Sequence, residues 1–483
     1  MVKKILPVAI VFFFAFLAGF SLLHSGLPPT HDGEYHVIRF YEFDKVLREG
    51  NLYPRWAPDL NNGFGVPLFN YVYPFPNYMA SFFHLFGFSF IDSFKLNMFF
   101  ATIAGALFFY LWTKRFWGQQ GAVVSSIFYT FSPYHFVDIY IRGSVGEVWA
   151  LAFFPASLWS ITELVKRNDK KFIIPSGIFI SLIVFSHNIL ALMFFVFFLS
   201  YSLMLFFQSK DKKNSFLIIM LTIFLGLFLS SIFWFPALFE TKYVVGLQVY
   251  NVAQNFPELF QLLIPSWGSG FSSGNLQNQM SFQIGIANLA AVVVAFGATP
   301  FFIRKKDKNL QYLIFFLVWF ILVFFLMLGT SKFIWDKVPL MKYFQFPWRF
   351  LSLEILFSSF LAGIFSIFRF SRIISVLAIA VVFILGYWYT KPAYYHQRDD
   401  NYYVTRSNFI DGTNSPGNSF NTLWMEKGLK KDKEKLKLVW GKADIKKVSI
   451  DSTFYRFDVN ANKDSRFVAN VAYFPGWEVY VDN

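Results

Sequence analysis

Four short stretches of the chain carry residues that could do chemistry. In HSGLPPTHDGEYHVIRF, Asp32 and Glu34 follow the first apolar run and are flanked by His31 and His36. A carboxylate held at a fixed height above a membrane can act as a general base or hold a divalent cation such as Mg2+ or Mn2+. The plainer role for Asp32 is to N-cap the helix that follows it. In DIYIRGSVGEVWALAFFP, Arg142 and Glu147 stand at the entrance to an apolar run, a costly place for charges unless they are used or paired. A mutual ion pair closing the top of a bundle is the alternative there. The sequence FSHN puts His187 and Asn188 at a junction of two apolar runs, where a lone His more often packs than ligates. In MKYFQFPWRF, Arg349 lies just inside an apolar run. Its planar fork suits a phosphate or another anion, and snorkelling beside Trp348 as a belt residue is the competing account.

These residues need elements to position them, and composition says which kind. Of 483 residues, 55% are hydrophobic and 15% charged, against about 25% charged in soluble chains. With a mean hydropathy of +0.45, this excludes a soluble multidomain enzyme, a disordered chain and a fibrous one, and implies a polytopic membrane protein. The absence of Cys removes disulfides, thiol nucleophiles and thiolate metal sites.

Apolar runs of roughly 17–25 residues predict eleven spans, near 5–23, 93–112, 118–134, 147–165, 172–187, 189–208, 215–235, 284–303, 310–329, 348–368 and 373–389. No cleavage pattern follows the first, so it reads as a retained anchor. Every second loop is basic: Lys3/Lys4, Lys114/Arg115, Lys166/Arg167/Lys170/Lys171, Lys210/Lys212/Lys213, Arg304/Lys305/Lys306/Lys308 and Arg369/Arg372. Placing all six in the cytoplasm satisfies the positive-inside rule, provided 76–90 is a surface helix and not a span. These loops hold 17 of the 43 Lys and Arg, so the net charge of +14 sets orientation and is no sign of nucleic-acid binding.

The N-terminus is then cytoplasmic, and the loops 24–92, 135–146, 236–283 and 330–347 lie outside with the tail. Asp32, Glu34, Arg142, Glu147, His187 and Arg349 converge on that one face. The apolar residues Val37, Ile38, Phe40, Tyr41, Val46 and Leu47 predict an amphipathic helix over 35–48 at the membrane surface. The expected organisation is a membrane domain over 1–389 and a small, mainly β extracytoplasmic domain over 390–483. In the latter, the Lys-dense 427–447 precedes the alternating segments VSIDSTFYRFDV and FVANVAYFPGWEVYV. The pattern runs on to Asn483, as in a truncated domain. The fold class is an all-α polytopic bundle with that β appendage. No internal repeat is visible, which weighs against inverted-repeat transporters.

At the level of motifs, THDGEYH, GNLYPRW, YVYPFPNY, RGSVGEVWA, FSHN and FPWRF resemble the bacterial and archaeal membrane proteins called 6-pyruvoyl-tetrahydropterin-synthase-related. The layout, a span and then an outer loop opening on an acidic pair, resembles the GT-C superfamily of membrane glycosyltransferases. The closing AYFPGWEVYVDN is similar to a motif in the extracytoplasmic domain of related large membrane proteins. The resemblance implies transfer of a sugar from a polyprenyl-phosphate donor to a glycan, lipid or protein acceptor on the outer face of the bilayer. It implies Asp32, with Glu34 second, as base or metal-associated carboxylate, and Arg142 and Arg349 as holders of the lipid phosphate, with Glu147, His187 and Asn188 nearby. A divalent cation is implied only for some GT-C members, and Asp-Gly-Glu here departs from their adjacent acidic pair. A transporter or flippase of lipid-linked or small solutes, and a non-catalytic assembly protein, are the competing readings. The first would want ionisable residues at mid-span, and 5–23, 215–235 and 310–329 have none.

Overall fold

The computed structural model describes residues 2–246, 251–273, 278–405, 418–426, 430 and 434–482. Parts of the expected loop 236–283 and of the Lys-dense stretch 427–447 lie outside the described residues, as does Asn483. The chain forms two compact units, neither of them continuous. Met1–Gly33, Lys95–Ser230 and Val249–Gln397 make the first; Glu34–Phe94, Ser231–Gln248 and Arg398–Asn483 make the second.

Among the described residues, eight helices are long and apolar enough to cross a membrane. They account for nine of the eleven expected spans, because Phe90–Thr130 is two helices broken at Gly118 (φ 67°, ψ −172°). That backbone conformation is essentially restricted to glycine. The other two expected spans are the shorter apolar helices Ile173–Ser186 and Ser371–Tyr387. Local chemistry sets the helix ends. Asp211 accepts the Asn214 N–H at 3.1 Å to start Lys212–Leu229, and left-handed Asn168 and Lys306 stop Val145–Arg167 and Ile286–Lys305.

Within the first unit the burial of the spans is uneven. Val145–Arg167 is 94% and Pro347–Ser366 89% buried, against 28% for Ile286–Lys305. The first two therefore form the centre, and the others present apolar faces outward. Aromatic rings fill the space between them: Phe316 stacks on Phe360 at 3.9 Å, and Trp112 donates to the Tyr201 hydroxyl at 3.1 Å. The segment 135–146 is not the loop that was expected. Pro133–Phe136 is helical, Val137–Arg142 forms a π-helical turn, and both are buried. Phe136, Val137, Ile139, Tyr140 and Ile141 are too apolar to be left in a solvated loop, and burying them obliges the backbone to bond internally.

In the second unit the expected surface helix is Gly33–Arg48. Part of its polar face is covered as well as its apolar one. Glu42 and Asp44 are buried. Glu42 accepts the Asp59 N–H at 3.0 Å, and Asp44 accepts Arg48 Nε at 2.6 Å and lies 2.8 Å from His84 Nδ1. Burial, reinforced by Asp59, pushes the Glu42 carboxyl up to about 8. The helix Phe75–Leu85 has 11 residues, too few to cross a hydrocarbon core of about 30 Å at about 1.5 Å per residue.

Among the described residues of this unit four strands follow: β1 (Leu436–Trp440), β2 (Ala443–Ile450), β3 (Tyr455–Ala461) and β4 (Arg466–Ala469). They form two antiparallel pairs, β1 with β4 and β2 with β3. β1 lies in the Lys-dense stretch, where KLKLVW alternates. The alternating residues 477–481 do not form a strand, and Val479, Tyr480 and Val481 are exposed. The strand region is tied to residues 56–64 of the same unit: Ala472 N–H donates to Phe64 O at 2.7 Å, Lys435 Nζ bonds Gly63 O, and Trp56 meets Trp477 edge-on.

Candidate active site

Glu147 begins the more buried of the two central spans, and Arg349 begins the other. Their side chains meet. Glu147 accepts Arg142 Nη1 at 2.5 Å and Nη2 at 2.6 Å, a bidentate pair, and Arg349 Nε at 3.1 Å. His187 Nε2 lies 3.5 Å from the same carboxylate. The expected ion pair between Arg142 and Glu147 exists, and it is part of a larger cluster. Asp138 accepts from Arg142 Nη1, and the Tyr134 hydroxyl donates to Glu147 at 3.2 Å. Arg142 also lies over the Trp348 ring at 4.8 Å and Arg349 over Phe346 at 5.3 Å, with the two rings stacked.

Asp138 and Tyr134 did not stand out in the sequence. The usable signal was the i, i+4 spacing of Asp138 and Arg142 within an apolar segment. Asp138 Oδ2 is buried without a hydrogen-bond partner. Burial, with Glu147 adding to it, pushes the Asp138 carboxyl well above the usual range, against the pull of Arg142. Whenever Asp138 carries a proton, two guanidinium groups face one carboxylate, and the cluster holds surplus positive charge in a poorly screened place. His187 does not add to that surplus, because its Nδ1 is an acceptor and the ring is neutral. The neutral ring caps the next helix, with Nδ1 accepting the Leu190 N–H at 3.2 Å, so its proton sits on Nε2 toward Glu147. Anion affinity should therefore rise as the pH falls through the raised Asp138 value. Asp138→Asn should flatten that dependence, as measured by phosphate-analogue titration between pH 5 and 9; an unchanged pH profile would remove Asp138 from the account.

The two arginines are not equivalent. Both Nη atoms of Arg142 are committed to acceptors. Arg349 gives Nε to Glu147 and Nη1 to Phe344 O and Gln345 Oε1, leaving Nη2 without a protein acceptor among the described residues. Gln345 adopts a left-handed backbone (φ 65°) while making that bond, a strain of about 1–3 kcal/mol that non-glycine residues bear mostly at functional sites.

Asp32 reaches this region through its main chain. His31 N–H donates to Ile141 O and Asp32 N–H to Arg142 O, both at 2.9 Å. Gly143 permits the approach. Its φ is 68°, and a Cβ there would fall 2.3 Å from Thr30 Oγ1. Thr30 Oγ1 accepts the Gly33 N–H at 3.0 Å, so a threonine supplies the first capping bond of the helix Gly33–Arg48. The Asp32 carboxylate is half-buried and accepts no hydrogen bond among the described residues. Glu34 lies in the first turn of that helix, 4.0 Å from Arg398 in the second unit. Asn188 is exposed and bonds its neighbour Ile189 N–H, away from the cluster. Among the described residues no group of three or more His, Cys, Asp or Glu is arranged to hold a metal ion. A cation at Asp32 would need water or substrate oxygens to complete its shell.

Residues 69–391 match a membrane-protein family described as the 6-pyruvoyl-tetrahydropterin synthase related domain. No curated protein matches the sequence. Among solved structures, the arabinofuranosyltransferase AftD from Mycobacteria is similar with a TM-score of 0.50 and 14% identity, over 79% of this chain and 26% of that one. ArnT from Cupriavidus metallidurans bound to undecaprenyl phosphate gives 0.47 and 12%, over 79% and 63%. The Archaeoglobus fulgidus oligosaccharyltransferase gives 0.44 and 13%, over 80% and 53%. The chain thus spans about a quarter of AftD and under two thirds of the others. At such identities the likeness is one of fold.

Proposed function

The chain belongs to the 6-pyruvoyl-tetrahydropterin synthase related membrane-protein family and has a GT-C-like fold, and from that premise we propose that it is a glycosyltransferase using a polyprenyl-phosphate-linked sugar. The observation that carries the reading is the pairing of an uncommitted carboxylate, Asp32, with the peptide that bears Arg142, whose cluster includes Arg349.

In this reading the acceptor hydroxyl loses its proton to Asp32 as its oxygen bonds the sugar's anomeric carbon. The bond from that carbon to the phosphate oxygen breaks, and the electron pair leaves with the lipid phosphate. Arg349 Nη2 meets the charge developing there, supported by the rest of the cluster. Glu147 orients both guanidinium groups and needs no proton transfer of its own. Asp32 is also the residue that would hold a divalent cation, whose chemistry is to neutralise phosphate oxygens. The basic loops support a cytoplasmic N-terminus, which puts Asp32 and the 390–483 region on the extracytoplasmic side.

The direct test is reconstitution. The protein in liposomes, supplied with polyprenyl-phosphate sugars and candidate glycan, lipid or protein acceptors, should release free polyprenyl phosphate and a glycosylated product, read by mass spectrometry. Accumulation of intact donor across the bilayer, with no product, would establish the flippase reading instead.

A further inference from the structure

In the second unit Tyr53, Arg55, Ser231, Ile232, Phe235 and Pro236 line a cavity of about 470 Å³, within the usual size of small-molecule sites of about 300–1,000 Å³. The Tyr53 hydroxyl is buried with no hydrogen-bond partner, and burial keeps its proton on. A buried donor without an acceptor is costly unless something outside the chain supplies one.

Arg55 fixes the charge of that partner. Its Nη2 bonds both oxygens of Glu240, at 2.9 and 2.8 Å, and its Nε bonds Asn70 Oδ1 at 2.5 Å. Asn70 donates to the same carboxylate at 2.7 Å, and Tyr71 to the Glu240 carbonyl at 2.8 Å. The guanidinium is therefore neutralised, and Nη1 is left for a neutral oxygen. An incoming anion would meet Glu240 with no cation to spare. The other wall is apolar: Ile232 and Phe235 are each 52% exposed. They lie on the helix Ser231–Phe239, which is separated in sequence from the apolar helix Lys212–Leu229 by Ser230 alone.

We propose that this cavity binds an uncharged glycerolipid, with head-group hydroxyls on Tyr53 and Arg55 and hydrocarbon along Ile232 and Phe235. The proposal does not rest on the transferase reading, since it concerns retention of a lipid and not its chemistry.

Native mass spectrometry of the full chain in detergent tests it, with dioleoylglycerol and a galactosyl diacylglycerol offered against phosphatidylglycerol and undecaprenyl phosphate at equal concentration. The uncharged lipids should be retained about tenfold or more over the anionic ones, which would bury an unmatched charge. Tyr53→Phe should weaken retention about three- to tenfold. Ile232→Glu, at an exposed position, should abolish it, while Phe296→Ser, exposed and outside the lining, should not change it. Equal retention of phosphatidylglycerol or undecaprenyl phosphate, or wild-type retention by both Tyr53→Phe and Ile232→Glu, would overturn the proposal. Phe235→Ser replaces Tyr53→Phe if that variant fails to fold.

Discussion

Asp32→Ala is expected to lower sugar transfer by about 10²- to 10⁴-fold, the usual contribution of a general base, with membrane insertion and unfolding temperature unchanged. The structure separates this outcome from a capping effect. The Gly33 N–H is taken by Thr30 Oγ1, and the loop is held by main-chain hydrogen bonds from the His31 and Asp32 N–H groups to the Ile141 and Arg142 carbonyls. Removing the carboxylate therefore breaks no bond among the described residues. Were Asp32 only a cap, alanine would cost about 0.5–2 kcal/mol of stability and spare turnover. Asp32→Asn, which keeps the shape, should be as inactive as alanine. Full activity in either variant, in the reconstituted assay, would move the base elsewhere, with Glu34 the first residue to examine.

Glu147→Ala should have the largest effect on stability, about 3–5 kcal/mol, because breaking a buried pair leaves charge uncompensated. Here two guanidinium groups lose their shared counter-ion, at the mouth of a span that is 94% buried. Arg349→Ala should cost less, since Glu147 keeps its bidentate bonds to Arg142, but it should suppress transfer by removing the guanidinium of the cluster whose Nη2 has no acceptor among the described residues. The measurement is thermal unfolding in detergent beside transfer rate. A Glu147→Ala protein as stable as wild type would mean that the arginines find other partners and that Glu147 is not the hub.

The membrane-spanning helices were legible because their signal is local. Each needs only a run of apolar residues, and the basic loops punctuate the runs. The break at Gly118 was readable too, since Lys114 and Arg115 lie just before it. Less legible were features decided by tertiary burial. The segment 135–146 looked like a loop because its charges drew attention from five apolar neighbours that fold inward. The helix Gly33–Arg48 was readable from its apolar residues Val37, Ile38, Phe40 and Val46, but the burial of Glu42 and Asp44 was not, since Asp59, Arg48 and His84 cover them only in the folded chain. In the candidate site, Arg142, Glu147, His187 and Arg349 were individually conspicuous as charges or rings at span ends, and they meet. Asn188 was named by adjacency alone and faces away. Asp138 escaped because its segment was read as a loop, where an i, i+4 spacing to Arg142 carries no helical meaning. The strand expectation at 477–481 failed because alternation shows only that a segment could pair, and no partner strand is offered to it among the described residues.

The main-chain pairing of 31–32 with 141–142 has a practical consequence. Because peptide groups make this junction, the side chain at position 32 can be exchanged without losing the register. The chain also contains no cysteine. Asp32→Cys would thus create a single thiol, half-accessible and next to the arginine cluster. Membrane-impermeant maleimides applied from either side of an intact vesicle would then report which compartment the position faces, and protection from labelling by added lipid phosphate would give its occupancy in real time.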